Sequence, residues 1–240
     1  MKFAVQLYSL RDMAHDKGGE AALKAVADAG YDGVEFAGFY GYTPAEMRAL
    51  TEKYALTPIS MHCCAAAVEE NLPYIDALGI KYVFVAYEPK ARFDDEKKFG
   101  EMLAEFERAH ELLAPRGVTF GYHNHEHEFE DGKDRMKQLL EAAPYLKAEP
   151  DVCWLTVAGK DAAAYLESLG EKLALVHVKE VAQGEKGEAV IGEGKVNMAG
   201  VFGQIEKSAL PWAVLEAEHV VGDTGEYLSR SLQNMKNFLK

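Results

Sequence analysis

The chain has 240 residues, and its 48% of hydrophobic residues supply enough apolar material for a large folded core, which excludes an intrinsically disordered chain. The formal net charge is −13 and no block of Lys and Arg is present, so we expect neither nucleic acid nor an anionic membrane as a partner. We expect no signal peptide at MKFAVQLYSL and no membrane-spanning segment, because the apolar runs are short, and three cysteines without framework spacing predict a reducing cytoplasm.

Eight strand-like segments alternate with helix-like segments along the chain. The predicted strands cover residues 3–7, 33–36, 58–62, 82–86, 118–123, 147–151, 173–179 and 212–216. This alternation predicts a parallel sheet, because parallel strands need crossover connections. No glycine-rich phosphate turn follows the first strand in VQLYSLRD, which disfavours an open doubly wound sheet. We therefore predict an α/β fold in which residues 1–240 form a single (β/α)8 TIM barrel, a fold of about 250 residues.

The predicted helices carry start and stop signals. Four of them end in a glycine, which suits the left-handed conformation that closes a helix: Gly30, Gly79, Gly117 and Gly170. Another begins with Thr43 as N-cap, Pro44 in the first helical position and Glu46 placed to complete a capping box. The longest predicted helix covers residues 94–115.

Ligand-type side chains end four consecutive predicted strands: His123, Asp151, His177 and Glu216. Successive side chains of a strand point to opposite faces, so we expect the apolar face to pack on helices and the polar face to point into the barrel mouth. Barrel enzymes build their active sites at this end. Imidazole and carboxylate groups together suit one divalent ion such as Mn²⁺, Co²⁺, Zn²⁺ or Fe²⁺. Each residue alone would be an ordinary solvated strand end, so the prediction depends on the set.

The densest histidine cluster is the segment 122–130, YHNHEHEFE. Because a parallel barrel strand ends soon after its ligand, we expect His123 to face the metal, His125 to touch the substrate and His127 to be solvated. Residues 126–130 are expected in a loop above the barrel mouth. Two alternatives are open for Glu128, which either becomes a metal ligand in place of His123 or orients His125.

These segments resemble the sugar isomerase/epimerase barrels, also called xylose isomerase-like barrels, over essentially the whole chain. VQLYSLRD, GYDGVEF and SMH are similar to the family's first three strands, and GYHNHEHEF, EPDVCW, HVKE and VLEAE are similar to its fifth to eighth. In that family one divalent ion is held by Glu, Asp, His and Glu, and the last three positions match Asp151, His177 and Glu216. His123 stands where the commoner family pattern has glutamate, so the resemblance gives it the first ligand position.

The resemblance implies a metal-dependent isomerase or epimerase that moves a proton next to the carbonyl of a sugar or keto sugar. Glu216 or a histidine would act as base, and His123, His125 or Lys179 would be the acid for a departing hydroxyl. Lys179 would otherwise polarise a substrate oxygen. Because His123 replaces one of the family's two glutamates, an inosose dehydratase-like lyase that eliminates water is an alternative. Hydrogen bonds to the sugar are implied for five residues, with an ordinary polar barrel lining as the alternative: Gln6, Tyr8, Glu35, His62 and Glu128.

Two further functions stay open, an apurinic endonuclease and a non-catalytic sugar or metal binder. The endonucleases share the barrel but need several metals and a cationic DNA surface, which a net charge of −13 opposes. The stretch AVIGEGKVNM, ahead of a helix capped by Asn197, lies where barrels often bind phosphate. A mobile turn is the favoured interpretation, and the acidic charge favours an unphosphorylated sugar. The sequence does not set the oligomeric state, and a homo-oligomer stays open.

Overall fold

The computed structural model describes residues 1–183 and 188–239 and contains an eight-stranded barrel. Its strands are β1 (Lys2–Gln6), β2 (Gly33–Phe36), β3 (Thr57–His62), β4 (Tyr82–Val85), β5 (Thr119–His123), β6 (Lys147–Glu149), β7 (His177–Val178) and β8 (Trp212–Leu215). They pair in parallel in the order β6-β5-β4-β3-β2-β1-β8-β7. Two parallel bridges, Ala148 to Leu173 and Asp151 to His177, connect the two ends and nearly close the barrel. The predicted (β/α)8 architecture is confirmed.

Helices follow the strands and surround the barrel. They are α1 (Arg11–Lys17), α2 (Gly19–Asp28), α3 (Pro44–Lys53), α4 (Val68–Leu78), α5 (Lys90–Asp94), α6 (Glu96–Leu113), α7 (Arg135–Ala142), α8 (Val152–Val157), α9 (Ala162–Leu169), α10 (Met198–Lys207) and α11 (Thr224–Asn237). Within the described part of the chain, no helix has the length and apolar character needed to cross a membrane.

The helix signals in the sequence correspond to the helix ends in the structure. All four predicted closing glycines have positive φ, with values of 89° at Gly30, 67° at Gly79, 65° at Gly117 and 51° at Gly170. The capping box between Thr43 and Glu46 is present at the start of α3. The predicted long helix 94–115 is divided into α5 and α6, because Asp95 adopts an extended conformation and its side chain caps α6.

The sixth and seventh strands are shorter than predicted. β6 ends at Glu149 instead of residue 151, and β7 has two residues instead of seven. Pro150 follows β6 directly, and proline has no N–H to donate to a neighbouring strand. Its carbonyl still accepts from His177 N at 3.0 Å, so the pairing continues only as isolated contacts. Asp151 and His177 nevertheless lie side by side in a bridge.

The barrel interior contains a small apolar layer formed by Ala4, Ile59, Phe84, Leu175 and Val214. The larger core lies outside it, between the strands and the helices. Gly121 is required by this inner layer, since a Cβ there would lie 2.7 Å from the Phe84 ring and 2.5 Å from the backbone oxygen of residue 147. The side chains two residues after Ala4, Phe84, Leu175 and Val214, namely Gln6, Ala86, His177 and Glu216, therefore lie above an apolar floor, at the C-terminal mouth of the barrel.

Candidate active site

Polar side chains from seven strands or strand ends meet above the apolar floor. They are Gln6, Glu35, His62, His123, Glu149, Asp151, His177, Lys179 and Glu216, and all but His62 are buried. The predicted alternation of faces is confirmed in β5: the Phe120 ring packs 5.6 Å from Phe106 of α6, whereas the His123 ring lies inside the barrel, 4.5 Å from His177. The strand periodicity, together with the meeting of the strand ends at one mouth of the barrel, therefore places these groups on the inner face.

The four predicted metal ligands form one cluster. His123, Asp151, His177 and Glu216 each offer a ligand atom, and these atoms all lie within 4.8 Å of one another. His177 Nδ1 is 3.0 Å from Glu216 Oε2. Asp151 accepts from Trp154 N through Oδ1, at the start of α8, while its Oδ2 and the Nδ1 of His123 are buried without a hydrogen-bond partner. A carboxylate oxygen and an imidazole nitrogen without hydrogen-bond partners, together with the short distances between the ligand atoms, fit a divalent transition-metal ion.

Glu35 of β2 lies against His177. Its Oε1 accepts from His177 Nε2 at 2.6 Å and from the side-chain amide of Gln6 at 2.7 Å. Burial opposes the charged form of Glu35, but His62 and His177 outweigh it and lower its pKa to about 2. Because Nε2 of His177 is engaged with Glu35, Nδ1 is the nitrogen directed at Glu216.

Glu149 was not assigned a role from the sequence, although it lies on the same strand face as Asp151. Its Oε2 is 2.7 Å from His62 Nε2, and its Oε1 is buried without a partner. A second group of possible ligand atoms, overlapping the first, consists of His62, His123, Glu149 and His177. Burial and the neighbouring Glu35 raise the pKa of Glu149 to about 8, so it titrates near neutral pH. Parity places Glu149 in the barrel, but only the fold shows that it contacts His62 of β3.

Lys179 is almost fully buried beside the metal-ligand cluster. Its Nζ lies 2.7 Å from Glu218, 3.8 Å from Glu216 and 4.5 Å from the centre of the Trp154 ring. Burial opposes its charge, but Glu216, Asp151 and Glu218 together raise its pKa, so it carries a proton. Glu218 and Trp154 were missed as site residues. Glu218 lies two residues after Glu216 and therefore has the same strand parity, which was a signal available in the sequence.

The segment after β5, Glu126–Gly132, forms 3-10 turns above the mouth that are interrupted by a kink at Glu130 and Asp131. Glu128 is fully buried there and accepts from the Tyr122 hydroxyl at 2.5 Å and from His125 N at 2.8 Å. Of the two alternatives for Glu128, its contacts favour the one in which it fixes His125. The prediction that His127 is solvated is wrong, because its side chain is 15% exposed and its Nε2 contacts Glu128 Oε1 at 3.1 Å.

A cavity of about 230 Å³ opens above the ligand cluster. Its lining consists of Tyr8, Ala37, His62, Ala86, Tyr87, His123, His125, Glu216 and Glu218. Gln6, Glu35 and Glu128 are fully buried behind this lining, and their contact with substrate stays a prediction. A larger cleft, of about 770 Å³, lies beside Met1 and Trp212 at the opposite end of the barrel. Its lining is mainly apolar, so the clustering of titratable groups, and not cavity size, marks the candidate site.

Comparisons with known proteins agree with this fold. A family model described as xylose isomerase-like TIM barrel matches residues 23–238. No curated protein sequence matches the chain significantly. Among solved structures, a sugar phosphate isomerase/epimerase from Parabacteroides distasonis is similar at 21% identity and a TM-score of 0.78, over 100% of this chain and 96% of the other.

Two further solved structures are similar at 15% identity. A D-allulose 3-epimerase from Methylomonas sp. in complex with D-allulose has a TM-score of 0.75 and covers 100% of this chain and 97% of its own. A probable 3-DHS dehydratase from Bacillus anthracis has a TM-score of 0.74 and covers 98% of both chains. At these identities the similarity shows the fold alone.

Proposed function

Because the chain belongs to the xylose isomerase-like TIM barrel family, we propose that it is a divalent-metal-dependent isomerase or epimerase of a sugar or keto sugar. The observation that carries the proposal is the convergence of the ligand atoms of His123, Asp151, His177 and Glu216 within 4.8 Å of one another, with His123 and Glu216 lining the mouth cavity. These four residues would hold the ion. When bound, it would act as a Lewis acid towards a carbonyl group next to the C–H bond that reacts.

Glu216 is the base in this proposal. It lines the cavity, and although burial opposes its charge, His177 and Lys179 hold its pKa well below the ordinary value. The carboxylate is therefore ionised and can accept a proton from a C–H bond made acidic by the neighbouring carbonyl. The neighbouring carboxylates raise the pKa of Lys179, so it keeps its proton. Its positive charge would stabilise the Glu216 carboxylate and negative charge that develops on the substrate.

His125 is the second group that can move a proton. It also lines the cavity, its backbone N–H is fixed by Glu128, and burial lowers its pKa, so the ring is neutral. In an epimerase one group takes the C–H proton and a second, protonated group delivers a proton to the opposite face of the carbon, so with Glu216 ionised the neutral His125 would first take a proton from water and then deliver it. Tyr8 and His62, which line the same cavity, are proposed to contact sugar hydroxyls.

A second candidate is the elimination of water from a keto sugar. The observation that favours it is the shortage of free carboxylates in the cavity: Glu218 is tied to Lys179, so Glu216 is the carboxylate left as base. Elimination needs one base for the C–H proton and one acid for the departing hydroxyl, and Lys179, which carries a proton beside Glu216, could be that acid. The neighbouring dehydratase fold is compatible with this candidate but does not select it.

The test is a panel of neutral ketoses and inososes incubated in D₂O with the metal-loaded protein and followed by NMR. Deuterium incorporation next to the carbonyl with the carbon skeleton retained supports the isomerase or epimerase, whereas a new C=C bond and loss of water support the dehydratase. His177→Ala should lose both stoichiometric metal and exchange. His110→Ala is the matched control, since His110 stacks on Tyr145 far from the site.

Binding of metal and sugar without any exchange would instead support a non-catalytic binder. Specific cleavage of abasic DNA at moderate salt would support the endonuclease alternative. The net charge of −13 argues against the latter, because such enzymes need a cationic surface for DNA.

A further inference from the structure

The loop between β7 and α10 lies where (β/α)8 barrels often bind a phosphate group. In this chain the carboxylate of Glu180 lies inside that loop and is 1% exposed. It accepts three backbone N–H groups, from Val196 at 2.9 Å, Val181 at 3.0 Å and Gly192 at 3.1 Å. Convergence of several backbone N–H groups on one anion is the arrangement by which proteins bind phosphate. Here a side chain of the protein itself is the anion.

The described residues of this loop, 179–183 and 188–197, pack around this internal carboxylate. A Cβ on Gly194 would lie 2.4 Å from Glu180 Oε1 and 2.2 Å from the backbone oxygen of Val181, so glycine is needed for the chain to pass this close. Lys195 N donates to the same Val181 oxygen at 3.0 Å and links the two sides of the loop. Of the two glycines of GEGK, Gly194 is therefore explained by the packing of Glu180, and Gly192 by its positive φ of 83°.

Two neighbouring sets of N–H donors also have internal acceptors. The carboxylate of Glu188 accepts from the backbone N–H groups of Glu218 and His219, in the loop after β8. At the start of α10, Asn197 Oδ1 accepts from Gly200 N at 3.1 Å. Barrels often hold phosphate with the loops after the seventh and eighth strands and with a helix N-terminus. In this chain the backbone N–H groups named above, in both loops and at the start of α10, donate to side chains of the protein itself.

The charges that line the cavity also disfavour a phosphate group. Glu216 and Glu218 line it, and the adjacent cation, Lys179, is already paired with Glu218 at 2.7 Å. A phosphate dianion near these carboxylates would be repelled, and such repulsion is a common way to reject a wrong ligand. We propose, on the basis of the function proposed above, that the substrate is an unphosphorylated sugar or keto sugar, and that Glu180 and Glu188 exclude phosphate by occupying its place.

The first experiment uses the metal-loaded wild-type protein and matched ligand pairs, beginning with D-allulose and D-allulose 6-phosphate and extending to other ketoses and their phosphates. The neutral member should bind at least about tenfold more tightly than its phosphorylated partner. Millimolar inorganic phosphate should leave the amide NMR signals of Gly192 and Val196 in place. Tighter binding of the phosphorylated members, or phosphate-induced shifts of those two amides, would overturn the proposal.

The second experiment removes the internal anion. In Glu180→Ala the three N–H donors lose their acceptor, so Tm should fall, and added formate, which has the size of the missing carboxylate, should raise it again. The matched control is Glu193→Ala in the same loop, because Glu193 is exposed and paired with Arg230. Equal responses of both variants to formate would contradict the assignment of Glu180. If Glu180→Ala does not fold, the wild-type measurements decide the question.

Failure of the proposed function can be told apart from failure of this inference. Absence of C–H exchange for every member of the panel would reject the isomerase or epimerase. The relative affinity of neutral and phosphorylated ligands, and the response of the Gly192 amide to phosphate, would still decide whether phosphate is excluded.

Discussion

Replacement of Glu35 tests whether this buried carboxylate positions a metal ligand. One oxygen of Glu35 accepts from His177 Nε2 at 2.6 Å and from Gln6 Nε2 at 2.7 Å, which leaves Nδ1 of His177 facing Glu216. Groups that orient a ligating histidine typically contribute about 10- to 100-fold to metal affinity. That range corresponds to about 1.4 to 2.7 kcal/mol.

The two informative substitutions are Glu35→Leu and Glu35→Gln. Leucine removes the acceptor and leaves the Nε2 group of His177 without a partner, so we expect a loss of Zn²⁺ affinity near the upper end, about 100-fold. Glutamine keeps one oxygen that can accept from Nε2 but removes the charge, so the expected loss is nearer about tenfold. A matched control is Glu193→Gln, an exposed carboxylate whose partner is Arg230.

The assay is a competitive Zn²⁺ titration, combined with ¹⁵N NMR of the histidine rings in the loaded protein. In the wild type, Nε2 of His177 should carry the proton, and in Glu35→Leu this preference should be lost. The reasoning is refuted if both variants bind Zn²⁺ within about twofold of the control and His177 keeps its tautomer. Thermal unfolding of the metal-free proteins separates this effect from a general loss of stability.

Three other outcomes follow from contacts in the structure. His123→Ala should weaken metal binding sharply, because a ligand is lost. Glu128→Gln should leave the metal bound and lower Tm, because Glu128 accepts hydrogen bonds that fix the segment after β5. A metal titration with the reverse result would show that Glu128, and not His123, is the ligand. Hydrogen bonds from Arg135 lower the pKa of Asp94 to about 2, below its ordinary value, so its stabilisation is present above about pH 4 and is lost as pH falls towards 2. In Asp94→Asn the free energy of unfolding should therefore depend less on pH across this range, as measured by urea unfolding at several pH values. Gly121→Ala should destabilise the barrel by roughly 1 to 3 kcal/mol in urea unfolding, because its Cβ would overlap the backbone oxygen of residue 147.

The ligand cluster could be predicted from the sequence because it depends on two regular features. Side chains alternate along a strand, and the ends of parallel strands meet at one mouth of a barrel. Asp151, His177 and Glu216 satisfy both conditions, so their proximity follows once the strands are recognised. Their arrangement does not require knowledge of any long-range side-chain contact.

Other parts of the site depend on contacts that periodicity does not encode. The hydrogen bond between His62 and Glu149 joins residues 87 positions apart, and its existence depends on how far the strands are offset. His127 lies in a 3-10 helix whose path is set by the buried carboxylate of Glu128, so the strand-based expectation of solvation failed there. The shortening of β7 depends on Pro150 in the neighbouring strand.

The balance of charge in the barrel mouth gives a separate reason to expect a cation. Five carboxylates, Glu35, Glu149, Asp151, Glu216 and Glu218, share the mouth with three basic groups whose pKa values are raised by these carboxylates, Lys179, His62 and His177. Burial raises the pKa of Asp151 to about 7 and, together with Glu35, that of Glu149 to about 8, so without another cation these two carboxyl groups take up protons near neutral pH. A divalent ion would supply the same positive charge and release those protons, since metal binding and ligand protonation compete. The protons taken up by these buried carboxyl groups thus stand where a cation would bind, which supports the proposed metal site on grounds independent of the family resemblance.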